Sequence, residues 1–279
     1  RSTPMTSFDS HAHFPTASAA EHHAQIARAR EAGLCGILAV GGGPELDPGA
    51  IAMARECPAD VHLALGLDRD VAVTAAPDAA TLAASMTSLR GTLARLADEG
   101  IPVRAIGEIG LDFSRDPTAS VKAAQIALFE AQLALAAELA LPCSIHSRDA
   151  ATDTLASLAR HASPARRRTA RVGVVHCFSG GAAFAAALVE LGLCIGLSGI
   201  LTFRNADPLR AVAADLPRDR ILVETDCPDL TPVPMRGRPT APAMLPHPVR
   251  RLASVLGLGE DAAAALTTEN ARRLFGLAT

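Results

Sequence analysis

Short runs rich in Val, Ile and Leu recur along this chain, each followed by a longer, alanine-rich stretch of helical period. That alternation limits the fold more than any other feature. Strands are expected near residues 5–11, 34–40, 61–67, 103–108, 142–146, 172–177, 192–198 and 220–225. Helices are expected near 19–32, 47–57, 78–99, 119–140, 149–162, 181–190, 206–215, 244–256 and 260–275. Eight strands, each followed by a helix, favour a closed parallel α/β barrel, the (β/α)8 or TIM barrel, over an open sheet. A length of 279 residues suits one such barrel. The alternation runs on without a Pro/Ser-rich linker, so residues 1–279 are expected to form a single domain, with Arg1–Pro4 a loose tail.

Composition narrows the class further. No apolar run approaches the ~20 residues that span a bilayer, and the N-terminus lacks a signal-peptide pattern. The expectation is a cytoplasmic protein with no membrane partner, and a monomer. Cysteines 35, 57, 143, 177, 194 and 227 show no CxxC spacing and read as reduced core residues. A net charge of −3 argues against broad nucleic-acid binding through a basic surface, while leaving room for a local basic pocket. Arginine supplies every basic residue except Lys122, and Trp and Tyr are absent, which looks like coding bias rather than function.

Five of the apolar runs end in side chains that bind metals: Phe8–His13, Ala105–Glu108, Pro142–His146, Gly173–His176 and Val223–Asp226. Active sites of such barrels are built at the C-terminal ends of the strands. His11, His13, Glu108, His146, His176 and Asp226 should therefore converge as metal ligands. His11 and His13, two apart, can project from one face of a strand. Imidazole and carboxylate without thiolate suit one or two divalent ions, Zn2+, Mg2+ or Mn2+, in an open catalytic site. Cys177 and Cys227 stand at odd offsets from ligands and are expected to turn outward toward the helices.

Two ions a few ångströms apart need a bridging ligand. The only lysine, Lys122, lies mid-helix, so a carbamylated lysine cannot serve and Glu108 is expected to bridge. Asp226 combines ligand and general-base roles, which makes Glu108 and Asp226 the catalytic pair. Glu224 reads as a structural acid one layer deeper, and Asp9 as a group that orients a histidine ligand.

These motifs resemble the TatD family of metal-dependent hydrolases and deoxyribonucleases. The resemblance rests on Asp9-Ser10-His11-Ala12-His13, Gly107-Glu108-Ile109-Gly110-Leu111-Asp112-Phe113 and Ile145-His146-Ser147-Arg148-Asp149-Ala150. His176-Cys177-Phe178-Ser179-Gly180, Glu224-Thr225-Asp226-Cys227-Pro228 and the stretch from Thr267 to Gly276 complete it. It implies a TIM barrel, one or two divalent metals and phosphodiester hydrolysis. The expected activity is a nuclease acting on nucleic acid, most simply DNA, with a metal-bound hydroxide as nucleophile. The alternative is a barrel amidohydrolase or esterase acting on small cyclic amides or lactones. Three loop positions depart from the family pattern: Asp68-Arg69 where it usually reads His-Pro, Asp229 where an aromatic is common, and Thr240 in place of the acid of an Arg-Asn-Glu-Pro stretch. All three are expected at the catalytic face, where they bear on substrate preference.

Phosphate recognition needs cations or amide dipoles at the same end. Arg115, Arg148 and Arg204 follow strands and are candidates for bidentate contact, as is Ser179 at the start of a helix. Gly41-Gly42-Gly43 lacks the lysine and serine of a phosphate loop and reads as a tight turn. Arg166, Arg167, Arg168 and Arg171 precede a strand and fall at the opposite end. His22, His23 and His161 are expected on exposed helix faces, with His62 and His247 outside the site.

Overall fold

The computed structural model describes residues 6–15, 18–74, 78–161 and 172–277. Its strands are β1 (Ser7–Ala12), β2 (Leu34–Val40), β3 (Val61–Leu65), β4 (Val103–Asp112), β5 (Cys143–Arg148), β6 (Gly173–Val175), β7 (Leu193–Leu197) and β8 (Ile221–Val223). All are parallel and lie in chain order in one eight-stranded sheet. The helices are α1 (Ala19–Glu31), α2 (Asp47–Glu56), α3 (Arg69–Thr74), α4 (Ala79–Asp98), α5 (Ala119–Glu138), α6 (Ala151–His161), α7 (Ala182–Glu190), α8 (Asp207–Asp215), α9 (Pro246–Leu256) and α10 (Glu260–Phe275). The expected TIM barrel is the fold observed. None of the described helices is long and apolar enough to cross a membrane.

Alternation along the strands sorts the core into two layers. Ile37, Leu63, Leu65, Ile106, Ile195, Leu197, Ile221 and Val223 belong to the larger cluster, packed against the helices. Their neighbours Leu38, Ala64, Ala105, Val174, Cys194 and Leu222 join Phe8 and Val40 inside the barrel. Ala271, Leu274 and Phe275 of α10 belong to this inner cluster, so the last helix plugs the N-terminal end of the barrel. Phe275 and Phe8 meet there with ring centroids 6.2 Å apart. The opposite end is left free for polar side chains.

Individual bonds join β8 to β1. Asp226 N–H donates to His11 O at 2.9 Å, and His13 N–H to Cys227 O at 2.9 Å. Asp9, fully buried, accepts from the Thr225 amide at 2.9 Å and the Thr225 hydroxyl at 2.6 Å. Its contact with His11 is to the backbone N–H, at 3.3 Å. Asp9 thus ties β1 to the end of β8, rather than orienting a histidine ring as the sequence suggested.

Two differences from the expected elements bear on the site. Strand β4 runs four residues beyond Glu108, to Asp112. Its register against β5 slips between Ile106 and Ile109, where three steps on β4 face two on β5. Such a bulge re-aims a side chain, and here that residue is Glu108. Helix α3 follows β3 directly and is too short for periodicity to reveal.

Candidate metal centre

All six expected ligands meet at the C-terminal end of the barrel. Donor atoms of His11, His13 and Glu108 lie within 4.8 Å of one another, as do those of His11, His176 and Asp226, and of Glu108, His146 and His176. Glu108 joins two of these groups. Its Oε2 is 3.2 Å from His13 Nε2 and 3.8 Å from His11 Nε2. Its Oε1 is 3.3 Å from His146 Nδ1 and 3.7 Å from His176 Nε2. Asp226 Oδ1 lies 3.7 Å from His11 Nε2 and 3.8 Å from His13 Nε2.

Neighbouring groups hold these rings in place. His13 Nδ1 is 2.9 Å from the Val40 carbonyl. A carbonyl only accepts, so Nδ1 carries a hydrogen and the neutral ring presents its Nε2 lone pair to the centre. His11 Nδ1 pairs with Ser144 Oγ at 2.9 Å. The two Nε2 atoms then face each other across 3.0 Å. His146 Nε2 is 3.1 Å from Asp112 Oδ2, and Asp112 Oδ1 accepts from the Ser114 amide at 2.9 Å. His176 Nδ1 is buried without a hydrogen-bond partner. Converging imidazole nitrogens and two carboxylates fit divalent cations.

The ligand side chains also shift one another's protonation. Burial alone would raise Glu108, yet the surrounding histidines, led by His176, hold it well below the carboxylate range. Burial likewise opposes charge on His13 and His146, but contacts with Glu108, and with Asp112 for His146, lift each to about 9. Burial pushes His176 down to about 4 and His11 well below its ordinary value.

A sequence model of the family described as "TatD related DNase" matches residues 8–276. The chain belongs to the TatD family. It is 37% identical to a protein of Erwinia amylovora named "3'-5' ssDNA/RNA exonuclease TatD", over 90% of this chain and 92% of that protein. It is 39% identical to the Bacillus subtilis "Uncharacterized metal-dependent hydrolase YabD", over 62% of this chain. That match spans 65% of YabD's own length, just under two thirds. The crystal structure of the TatD homolog YJJV from Escherichia coli K12 superposes with a TM-score of 0.83 at 30% identity, covering 97% of this chain and 98% of that one.

Around this TatD-family centre opens a groove of about 1480 Å³. Arg148 and Ser179 line it. Arg115 and Arg204 do not, and both are exposed elsewhere. Their places are taken by Arg69, at one of the loop positions that depart from the family pattern, and by Arg236, which no motif flagged. Arg236 sits 4.6 Å over the Phe203 ring. Arg69 Nη1 bonds Glu108 Oε1 at 2.7 Å. Asp68 and Asp229 also line the groove, and burial together with Glu108 raises Asp68 to about 6. Thr240, in contrast, is buried inside its own loop, with its hydroxyl on Thr231 at 3.0 Å.

Other expectations need correction. Cys177 lies past the end of β6 with φ +47, so strand alternation no longer sets its direction. It lines the groove instead of facing the helices, with Sγ 3.4 Å from Ser198 Oγ. Cys227, in contrast, is buried in the outer cluster as expected, with Sγ on the His13 carbonyl at 3.4 Å. His22 is buried, not exposed, and pairs with Glu56 at 2.8 Å. It shares one face of α1 with buried Ile26 and Ala29. Gly42 and Gly43 give their amides to Asp47 Oδ1 at 3.0 and 3.1 Å, the tight turn expected of the three glycines. Lys122 stays clear of the centre, 5.3 Å over Phe113. Arg166, Arg167, Arg168 and Arg171 lie outside the described residues.

Proposed function

We propose that this chain is a divalent-metal-dependent phosphodiesterase that cleaves single-stranded nucleic acid, with DNA as the leading substrate. The observation that carries this reading is Glu108, whose two oxygens face two different pairs of histidines at the floor of a groove lined by Arg69, Arg148 and Arg236. The nuclease name borne by the Erwinia amylovora relative supports it.

His11, His13, Glu108 and Asp226 would hold one cation, and Glu108, His146 and His176 a second. When bound, divalent cations polarise the phosphodiester and make a water acidic enough to attack near neutral pH. Asp226 stands at the mouth with Oδ1 toward His11 and His13, placed to accept the proton of the attacking water. Its backbone, at φ +54, is pinned by the bond from its amide to His11 O. Ser144, Val40 and Asp112 fix the rings of His11, His13 and His146 so that donors need not reorganise during reaction. Arg148, exposed on the wall, is available to a phosphate of the bound strand.

The test is hydrolysis of an end-labelled single-stranded oligonucleotide after adding back Mg2+, Mn2+ or Zn2+, beside a panel of lactones and cyclic amides. Oligonucleotide cleavage that Asp226→Asn abolishes while cation binding survives supports the proposal. Turnover of lactones or amides with the oligonucleotide left intact overturns it.

A further inference from the structure

The two oxygens of Glu108 have unequal surroundings. Oε2 faces His13 and His11, and Asp226 adds a second carboxylate beside those rings. Oε1 faces His146 and His176; there Asp112 Oδ2 stands 3.1 Å from the outer nitrogen of His146, and a cation touches Oε1 itself: Arg69 Nη1 at 2.7 Å. The length is that of a charge-assisted hydrogen bond. A guanidinium does not lose its proton under ordinary conditions. Its charge is a fixed feature of one side of the centre.

The guanidinium is also held where it is. Arg69 begins α3, and its side chain is about three-quarters buried, 24% exposed. Asp68 Oδ2 at 3.8 Å and Asp70 Oδ2 at 4.0 Å flank it, both farther than Glu108 Oε1. Its closest ion pair is therefore with the would-be bridging ligand. In so enclosed a place, a positive charge is weakly screened and acts strongly on a second cation a few ångströms away.

We propose that Arg69 makes the two cation positions around Glu108 unequal, keeping the Glu108–His146–His176 position weak and standing beside it as a built-in positive charge. The inference rests on the metal-centre reading above and concerns how the cations are held. On this view one cation is retained at the His11–His13–Asp226 side, and the other associates only at higher concentration.

The experiment is titration of the metal-stripped full chain with Mn2+, counting free Mn2+ by its electron paramagnetic resonance signal. The wild-type chain should bind one Mn2+ tightly and a second about tenfold or more weaker. Arg69→Met should tighten the second association by about tenfold or more and leave the first nearly unchanged. Arg69→Lys, which keeps the charge, should leave the second weak, and His146→Ala should delete the second alone. Two equal associations in the wild-type chain overturn the inference while leaving the metal centre intact. So does an Arg69→Met variant whose second association is unchanged, or an Arg69→Lys variant that tightens as Met does. Absence of any Mn2+ binding by the wild-type chain overturns the metal centre itself, and the inference with it.

Discussion

Ser10 Oγ stands 2.9 Å from Glu224 Oε2 and 3.0 Å from the Val223 carbonyl. The hydroxyl has one hydrogen and the carbonyl can only accept, so the Ser10–Glu224 bond is satisfied when Glu224 carries the proton. The other carboxyl oxygen accepts the Cys177 amide. Complete burial pushes Glu224 up to about 8, in keeping with a neutral acid. Gly196 makes room for it, since a Cβ there would lie 2.5 Å from Oε2.

That neutral acid has a consequence for stability. A carboxyl whose folded pKa is raised from 4.5 to about 8 favours folding fully below 4.5, and that contribution is lost as pH rises toward 8. The slope from this group is up to about 1.4 kcal/mol per pH unit in that window. Glu224→Gln mimics the protonated form and should remove the slope, leaving the variant at least as stable as the wild type at neutral pH. Urea unfolding from pH 5 to 8 measures it, and parallel curves for the two proteins would refute a protonated Glu224.

Asp112 should matter through His146. The His146 contact holds its carboxyl well below the ordinary range, so it stays an anion that orients the ring. Asp112→Ala should weaken cation binding at the His146 side by about 10–100-fold with little effect on the fold. Chelator competition reads the affinity, and an unchanged value would remove the orienting role.

Cation binding should be pH-dependent. His13 and His146, each raised to about 9, must give up protons when they become ligands. Apparent affinity should climb as pH rises toward 9 and level off above it. Calorimetry in buffers of different ionisation heat should detect proton release at pH 7. Chelation should correspondingly lower the melting temperature, because the cation binds only the folded ligand set.

Asp9 accepts from two groups at Thr225 at the junction of β8 with β1. Asp9→Ala leaves the Thr225 amide and hydroxyl buried without an acceptor, at roughly 1–3 kcal/mol for each. Denaturant unfolding should show a loss of several kcal/mol, with cation affinity reduced because His11 and Asp226 flank the same junction. A loss under about 1 kcal/mol would show that other bonds hold it.

Much of this protein is legible in its sequence. Eight hydrophobic runs separated by helical stretches leave few ways to bury both faces of each strand, and the parallel barrel is the one observed. All six proposed ligands could be found because barrel topology brings the C-terminal ends of all strands together, however far apart they lie in the chain. Directions of side chains beyond the strand ends were not legible. Cys177 escaped the alternation rule because its backbone has left the strand, and His22 was hidden because an alanine-rich helix marks its buried face poorly.

Local patterning in the chain is enough to specify the barrel, the strand ends where the candidate site lies and the donor atoms available there. Tertiary structure alone decided how those donors are shared. The bulge that turns Glu108 between two histidine pairs, the arrival of Arg69 at one of its oxygens and the exclusion of Arg115 and Arg204 from the groove depend on register and loop path. Periodicity is a local property of the chain, whereas these distances arise only where separate strands and loops close on one another.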